Sequence, residues 1–153
     1  MTQRLSYPKV SPAAHRALLA LEQHVRGAGL EENLKDLVYQ RVSQLNGCAF
    51  CLDMHDKDMR AAGENPERLA LLSVFRESPL FNARERAALA YAEALTQLGP
   101  HGLPDDVYNA ALAEFGEAGL VSLTLAVGMI NTWNRVNIAF RTEPGKYQPA
   151  KAR

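Results

Sequence analysis

Apolar side chains recur every three or four positions along most of the chain, the spacing of one face of an α-helix. No stretch alternates apolar and polar residues over the length of a β-strand, and glycine and proline fall between the periodic segments. The sequence therefore predicts an all-α fold, a helical bundle of about six to seven helices. The predicted helices cover residues 12–26, 32–45, 48–62, 66–75, 82–98, 104–115 and 120–140.

Polar residues at particular positions add local signals to this pattern. Asn82 and Glu85 have the spacing of a capping box, in which each side chain satisfies a free N–H group at a helix start. Asn131 and Asn134 lie in the otherwise apolar last helix, and we expect a subunit interface to supply their hydrogen-bond partners. Trp133, between them, is predicted to pack in the core with its indole N–H bonded to a neighbour.

The length of 153 residues suits one domain, and we predict a single domain over residues 1–153. Residues 1–11 and 144–153 are expected to be less ordered tails, because the proline-containing C-terminal stretch has little apolar surface to bury. The most apolar stretch, residues 120–130, is shorter than the roughly 18 to 20 residues of a membrane span. A buried helix is therefore predicted there.

The chain carries 17 basic and 17 acidic side chains, so its net charge is zero when the histidines are neutral. This balance gives no indication of binding to nucleic acid or to an anionic membrane. The first residues also lack the apolar run of a signal peptide. We therefore expect a cytoplasmic protein, in which cysteines are more often catalytic or metal-binding than structural.

The two cysteines lie three residues apart, at Cys48 and Cys51, and His55 follows four residues after the second. At about 100° per residue the three side chains share one face of a helix. Cysteines at this spacing can form a disulfide and return to two thiols with little backbone movement. Because the first turn of a helix favours a thiolate, the pattern predicts a reactive cysteine pair with His55 as proton acceptor.

Other interpretations of the cysteine pair stay open from the residues alone. The pair could form a structural disulfide, which a reducing compartment disfavours, or two buried and inert thiols. A zinc site would need a fourth ligand besides both cysteines and His55. The other histidines, His15, His24 and His101, have no spacing that supports this role.

A histidine works best as a base when a carboxylate orients its second ring nitrogen. Asp36, on the preceding predicted helix, is the candidate for this position. Three other carboxylates are closer in sequence but point to other faces of the cysteine helix: Asp53, Asp56 and Asp58.

Residues 36–64, DLVYQRVSQLNGCAFCLDMHDKDMRAAGE, resemble the core motif of the alkylhydroperoxidase D-like branch of the carboxymuconolactone decarboxylase family. Residues 130–144, INTWNRVNIAFRTEP, resemble the closing helix of that family. The resemblance extends over roughly residues 10–147. It implies an all-helical subunit, with the cysteine pair at the start of a central helix, that assembles into trimers or hexamers.

The same resemblance implies roles for individual residues. The proton relay of the peroxidase members falls on Asp36, His55, Cys48 and Cys51. The acidic residue of the family is usually glutamate, so Asp36 is one methylene shorter than the family's residue. Some peroxidase members have a histidine between the cysteines, where this chain has Phe50, whose ring could line a pocket for the hydrocarbon part of an organic peroxide.

The residues and the resemblance together predict an antioxidant thiol-dependent peroxidase that reduces organic hydroperoxides or hydrogen peroxide. Its cysteine pair would cycle between dithiol and disulfide, with Cys51 favoured as the thiol that His55 deprotonates. An external dithiol, of the lipoyl type in the family, would restore the pair, and the chemistry needs no metal or organic cofactor. The alternative is a redox-sensing or scaffolding homo-oligomer that exchanges thiols and disulfides without significant peroxide turnover.

Overall fold

The computed structural model describes residues 2–149, and these residues form seven α-helices and no β-strand. A 3₁₀ turn, Leu72–Val74, directly continues the fifth helix. The all-α prediction is therefore confirmed, with helix ends close to the predicted ones. The helices are α1 (Tyr7–Val10), α2 (Pro12–Arg26), α3 (Glu32–Asn46), α4 (Ala49–Ala61), α5 (Pro66–Leu71), α6 (Ala83–Thr96) and α7 (Asp105–Phe140).

The helix boundaries follow from the capping residues and the glycines. At the start of α6, the Asn82 side chain accepts a hydrogen bond from the Glu85 amide, and the Glu85 carboxylate accepts one from the Asn82 amide, both at 2.9 Å. This is the predicted capping box. The two helices predicted for residues 104–140 are joined in α7, which is interrupted by one residue, Gly116, at φ 63° and ψ 176°. An L-residue rarely adopts this φ, so glycine allows the two segments to meet here.

Three helices, α3, α6 and α7, enclose the centre of the core and pack against one another. In α3 the buried face repeats at three- and four-residue spacing through Leu34, Leu37, Val38 and Val42. Helix α4 packs on α3 and α7 and carries the cysteine pair into this core. Helix α2 packs on α7 and buries Val25, while Leu19 is half exposed.

The asparagines of α7 bond within the chain, so the expected subunit interface is not what supplies their partners. Asn46, at the end of α3, donates to the side-chain oxygens of Asn131 and Asn134 at 2.9 Å each. Asn134 in turn donates to the hydroxyl of Ser43 at 2.9 Å. This network ties the end of α3 to α7 one residue before the loop that leads to Cys48.

The chain after α7 turns back onto α4. Arg141 ends the helix in the left-handed conformation, at φ 54°. The Gly145 amide donates to Asp53 at 2.9 Å, and Lys57 donates to the backbone oxygen of Tyr147 at 3.1 Å. The Tyr147 hydroxyl bonds Asp58 at 2.7 Å. Met1 and residues 150–153 lie outside the described residues, and the lower order expected for the two tails stays a prediction.

Helix α7 is long and apolar enough, by length and composition, to cross a membrane. Its buried residues, among them Leu123, Val127 and Ile130, pack into the core, and Gly116 interrupts its backbone. These features agree with the buried helix predicted from residues 120–130.

Candidate active site

The cysteine pair lies at the N-terminus of α4, as the sequence predicts. Gly47 follows α3 in the left-handed conformation at φ 69°, and Cys48 is the extended N-cap residue of α4. Cys48 and Cys51 form a disulfide with their Cα atoms 5.4 Å apart, and the Cys48 sulfur accepts a hydrogen bond from the Cys51 amide at 3.4 Å. Both sulfurs therefore lie at the positive end of the helix, which stabilises a thiolate after reduction.

His55 stands one turn further along α4 and is 4% exposed. The edge of its ring meets the ring of Tyr39, with centroids 5.3 Å apart. Burial, together with the positive charges of Arg26 and Lys35, lowers the pKa of His55 to about 3. The imidazole is therefore neutral at physiological pH, and its Nε2 has no hydrogen-bond partner among the described residues. It can accept a hydrogen bond from a group that enters the site.

A cavity of about 230 Å³, which we name the His55 cavity, opens beside Cys51 and His55. Most of its wall is aromatic or aliphatic, and polar groups lie on one side. The lining residues are Tyr7, Leu19, Glu22, Arg26, Tyr39, Phe50, Cys51, Met54, His55, Trp133 and Asn137. Phe50 thus lines a pocket beside the cysteines, in the place the sequence suggested for it.

Glu22 of α2 is the carboxylate of this cavity. Its Oε2 accepts hydrogen bonds from the Tyr39 hydroxyl and from the Trp133 indole N–H, both at 3.1 Å. Its Oε1 pairs with the Arg26 guanidinium at 3.1 Å. Burial, and secondarily the Glu22 charge, raises the pKa of Tyr39 above its usual range, so this hydroxyl stays a donor. The indole bond predicted for Trp133 is present, and its acceptor is Glu22.

Sequence reasoning did not identify Glu22, although α2 carries a signal for it. Glu22 shares the inward face of that helix with Leu18 and Val25, whereas Leu19 and Leu21 are largely exposed. A charged residue at helical spacing within an apolar face is unusual unless it is paired. The position of Glu22 in the sequence therefore indicates a buried carboxylate. The sequence does not show how close this carboxylate lies to the cysteines, because that distance depends on the packing of α2 on α7.

Asp36 lies outside the His55 cavity. Its carboxylate pairs with Lys35 at 3.6 Å, and it borders a separate cavity with Arg26 and Tyr147. Burial raises the pKa of Asp36 to about 6, opposed by the nearby positive charge of Lys35. Within residues 2–149, no hydrogen bond or ion pair joins Asp36 to His55. The structure thus brings both cysteines and His55 together and leaves Asp36 at a separate cavity.

A second cavity of about 380 Å³, which we name the Cys48 cavity, lies on the opposite side of the disulfide. The start of α4 and the chain that follows α7 form its wall. The lining residues are Gly47, Cys48, Ala49, Phe50, Asn137, Ile138, Arg141, Thr142, Glu143 and Pro144. Asn137 stands between the two cavities and donates to the Cys51 sulfur at 3.6 Å and to the Trp133 backbone oxygen at 2.9 Å.

No group of three or more histidine, cysteine, aspartate or glutamate side chains converges as metal ligands would in the part of the chain that the structure describes. The cysteines are bonded to each other, and His55 has the Tyr39 ring against its edge. The reactive groups of the site are therefore the disulfide, the neutral imidazole and the paired carboxylate of Glu22.

Known proteins are similar to this chain in sequence or in fold. The uncharacterized protein YdfG of Bacillus subtilis (strain 168) is 34% identical over 139 residues, which are 91% of this chain and 95% of that protein. A crystal structure from Agrobacterium tumefaciens, of a protein of unknown function described as a candidate antioxidant defence protein AhpD, is 41% identical with a TM-score of 0.90, over 95% of this chain and 100% of that chain. The debrominase Bmp8 has the same fold at 21% identity, with a TM-score of 0.78 over 90% of this chain and 74% of that one.

A sequence model of the carboxymuconolactone decarboxylase family matches residues 12–94. The matched segment begins with α2, ends within α6 and contains Cys48, Cys51 and His55. With the cysteine pair at the N-terminus of α4 and the close similarity to the Agrobacterium structure, the chain belongs to the carboxymuconolactone decarboxylase family and to its alkylhydroperoxidase D-like branch.

Proposed function

We propose that the protein is a thiol-dependent peroxidase that reduces hydroperoxides through the Cys48–Cys51 pair. One observation carries the proposal: a disulfide at the positive end of α4 borders an apolar cavity that also holds a buried, neutral histidine. A thiolate, a proton acceptor and a dry binding space are the requirements of peroxide reduction by cysteine. The description of the similar Agrobacterium protein as a candidate antioxidant defence protein supports the same function.

In the proposed reaction the reduced Cys51 thiolate attacks one oxygen of the peroxide. The O–O bond breaks, the other oxygen leaves as an alcohol after taking up a proton, and Cys51 becomes a sulfenic acid. The Cys48 thiol then attacks the Cys51 sulfur, water leaves, and the disulfide forms. The peroxide gains two electrons, which an external dithiol must return to the pair.

His55 is proposed as the group that accepts the Cys51 proton, because its Nε2 is unpaired and the imidazole is neutral. The proton relay through Asp36 stays a proposal, and without a direct contact it requires a water between Asp36 and His55. Glu22, in the same cavity, is the other carboxylate that can take part. The Tyr39 hydroxyl and the Trp133 indole N–H, which both donate to it, hold its carboxylate in place.

The walls of the His55 cavity favour an organic hydroperoxide over hydrogen peroxide. Leu19, Phe50 and Met54 offer apolar surface that the hydrocarbon part of such a substrate would bury.

The proposed reductant is a small dithiol, of which lipoyl-type dithiols are one example. The proposed setting is the cytoplasm, and the proposed assembly is a trimer or hexamer, for which the exposed apolar residues Val121, Leu125 and Ile138 of α7 offer a surface.

The test is consumption of cumene hydroperoxide by the purified protein in the presence of dithiothreitol. We expect Cys51→Ser to abolish consumption and His55→Gln to reduce its rate roughly 100-fold, as loss of a proton acceptor does. Size-exclusion chromatography of each variant shows whether the assembly survives. If the wild type consumes no peroxide, and if Cys→Ser changes alter the assembly instead, the protein is a redox-sensing or scaffolding homo-oligomer.

A further inference from the structure

The two sulfurs of the disulfide face different cavities. Cys51 lines the His55 cavity, and Cys48 lines the Cys48 cavity. Phe50 and Asn137 border both cavities and form the wall between them. A molecule in one cavity is therefore adjacent to one sulfur and shielded from the other.

This separation decides which sulfur a reductant can attack. A thiolate breaks a disulfide by approaching one sulfur from the side opposite to the other, so that attacking, central and leaving sulfurs lie in line. For attack on Cys48, the approach lies on the side of the Cys48 cavity. For attack on Cys51, it lies on the side of the His55 cavity, where the hydroperoxide is proposed to bind.

The surroundings of the two sulfurs stabilise either of them as a thiolate. Asn137 donates a hydrogen bond to the Cys51 sulfur at 3.6 Å, and the Cys51 amide donates one to the Cys48 sulfur at 3.4 Å. Both sulfurs also lie at the N-terminus of α4, where the helix dipole favours a thiolate. Either sulfur can therefore leave when the disulfide opens, and access through the cavities decides which one a reductant attacks.

The Cys48 cavity has polar atoms in its walls that lack partners. Asn137 is 5% exposed, and its side-chain oxygen has no hydrogen-bond partner among the described residues, nor has the buried hydroxyl oxygen of Thr142. Arg141 contributes a positive charge, and Glu143 on the same wall is paired with Lys146. The wall therefore combines the positive charge of Arg141, which can attract an incoming thiolate, with unpaired atoms for its N–H or O–H groups.

We propose that the Cys48 cavity is the docking site of the reducing dithiol, and that the dithiol attacks Cys48. The proposal rests on the proposed function, because it names the entry point of the electrons that the peroxidase cycle needs. A thiolate of the dithiol forms a bond to the Cys48 sulfur, the Cys48–Cys51 bond breaks, and Cys51 leaves as a thiolate. The second thiol of the reductant then attacks its own bound sulfur, Cys48 is released as a thiolate, and the reductant leaves as a cyclic disulfide after giving up two electrons.

The division also sets the order of the cycle. Reduction through the Cys48 cavity leaves the Cys51 thiolate facing the His55 cavity, where the hydroperoxide is proposed to bind. Substrate and reductant therefore use different entrances and do not compete for one space. We therefore expect that neither the hydroperoxide nor the dithiol inhibits the reaction of the other by occupying its site.

The first test blocks the Cys48 cavity and measures reduction of the disulfide in the absence of peroxide. Ala49 is exposed at the cavity and is the first residue of α4, so Ala49→Trp places an indole at the entrance. We expect reduction of the oxidised protein by dithiothreitol, followed by counting free thiols after an acid quench, to slow roughly tenfold. Leu98→Trp is the matched control, since Leu98 is 58% exposed and borders neither cavity. Equal rates in the two variants would overturn the proposal.

The second test uses single-cysteine variants and does not depend on Ala49→Trp. Capture of 2-hydroxyethyl disulfide by Cys48 in Cys51→Ser is chemically the reverse of the proposed second step, which releases the Cys48 thiolate, whereas Cys48→Ser reports the same capture at Cys51. After correction for thiolate fraction at each pH, we expect Cys48 to react roughly tenfold faster. Faster capture by Cys51 contradicts the proposal. Neither test contains peroxide, so the results of both can be interpreted even if the protein shows no peroxidase activity.

Discussion

The two sides of the Cys48–Cys51 disulfide are built in different ways. On the Cys51 side, side chains from α2, α3 and α7 bond one another, and Glu22 is the shared acceptor for Tyr39 and Trp133. On the Cys48 side, much of the wall is irregular chain after α7, and polar atoms of Asn137 and Thr142 lack partners in the described residues. The Cys51 side therefore has a hydrogen-bonded carboxylate beside the unpaired Nε2 of His55, and the Cys48 side has polar atoms that a molecule from outside could satisfy.

This contrast separates two requirements of a thiol enzyme. A site for one chemical step gains from groups that are held in position before the substrate arrives. A site that receives an exchange partner gains from atoms that the partner satisfies on binding, because an unpaired buried group costs free energy until then. The fold places these properties on opposite faces of one bond.

The largest expected effect concerns the buried base on the Cys51 side. His55 has a folded-state pKa of about 3, well below its value in the unfolded chain, so its contribution to stability is present above about pH 6.5 and is lost as the pH falls towards 3. Arg26 and Lys35 face it with positive charge, and His55→Gln removes the titration. The difference in unfolding free energy between wild type and His55→Gln should therefore decrease by about 1.4 kcal/mol per pH unit between pH 6.5 and 4. Urea titrations at a series of pH values measure this difference. If the unfolding free energies of wild type and His55→Gln change in parallel with pH, the histidine is not buried in its neutral state.

A smaller effect is expected on the Cys51 side from Tyr39→Phe. The substitution removes the hydroxyl that donates to Glu22, so we expect a loss of about 2 kcal/mol in unfolding free energy, as for a bond to a charged acceptor. Tyr91→Phe is the matched control, because the Tyr91 hydroxyl is bonded to the neutral hydroxyl of Thr124 at 2.8 Å and should cost about 1 kcal/mol. Equal costs for the two variants would mean that the charge of Glu22 adds nothing to this bond.

The smallest effect is expected on the Cys48 side from Thr142→Val. The hydroxyl of Thr142 is buried without a partner, so replacing it with a methyl group should leave stability unchanged or raise it by up to about 1 kcal/mol. Thr124→Val is the comparison, since that hydroxyl donates to the Leu120 backbone oxygen and its loss should destabilise by about 1 kcal/mol. Thermal or urea unfolding measures the change in stability of both variants. A destabilised Thr142→Val would show that the hydroxyl has a partner in solution.

The parts of the molecule that sequence predicted are those governed by neighbours along the chain. Cys48, Cys51 and His55 share a face because α4 has a fixed number of residues per turn, and Asn82 with Glu85 closes a helix end by a bond across three residues. Both features can be predicted without knowing how the helices pack.

The parts that sequence did not predict depend on packing between distant elements. Glu22 reaches the cysteines because α2 lies against α7, and the bonds of Gly145 and Tyr147 exist because the chain after α7 returns to α4. Asn131 and Asn134 needed partners, and only the packing of α3 on α7 shows that Asn46 provides them. Asp36 was assigned by its place in a motif; in the folded chain it pairs with Lys35, and its relay to His55 stays a prediction.

The hydrogen bond from the Cys51 amide to the Cys48 sulfur makes one backbone proton a spectroscopic reporter. A thiolate attracts that proton more strongly than a disulfide sulfur does, because a charged acceptor forms the stronger bond. The Cys51 peak in a proton–nitrogen correlation spectrum should therefore move when the pair is reduced and again when Cys48 is alkylated. The redox state of the pair could be followed in this way in a crude extract, without a chemical label on either thiol.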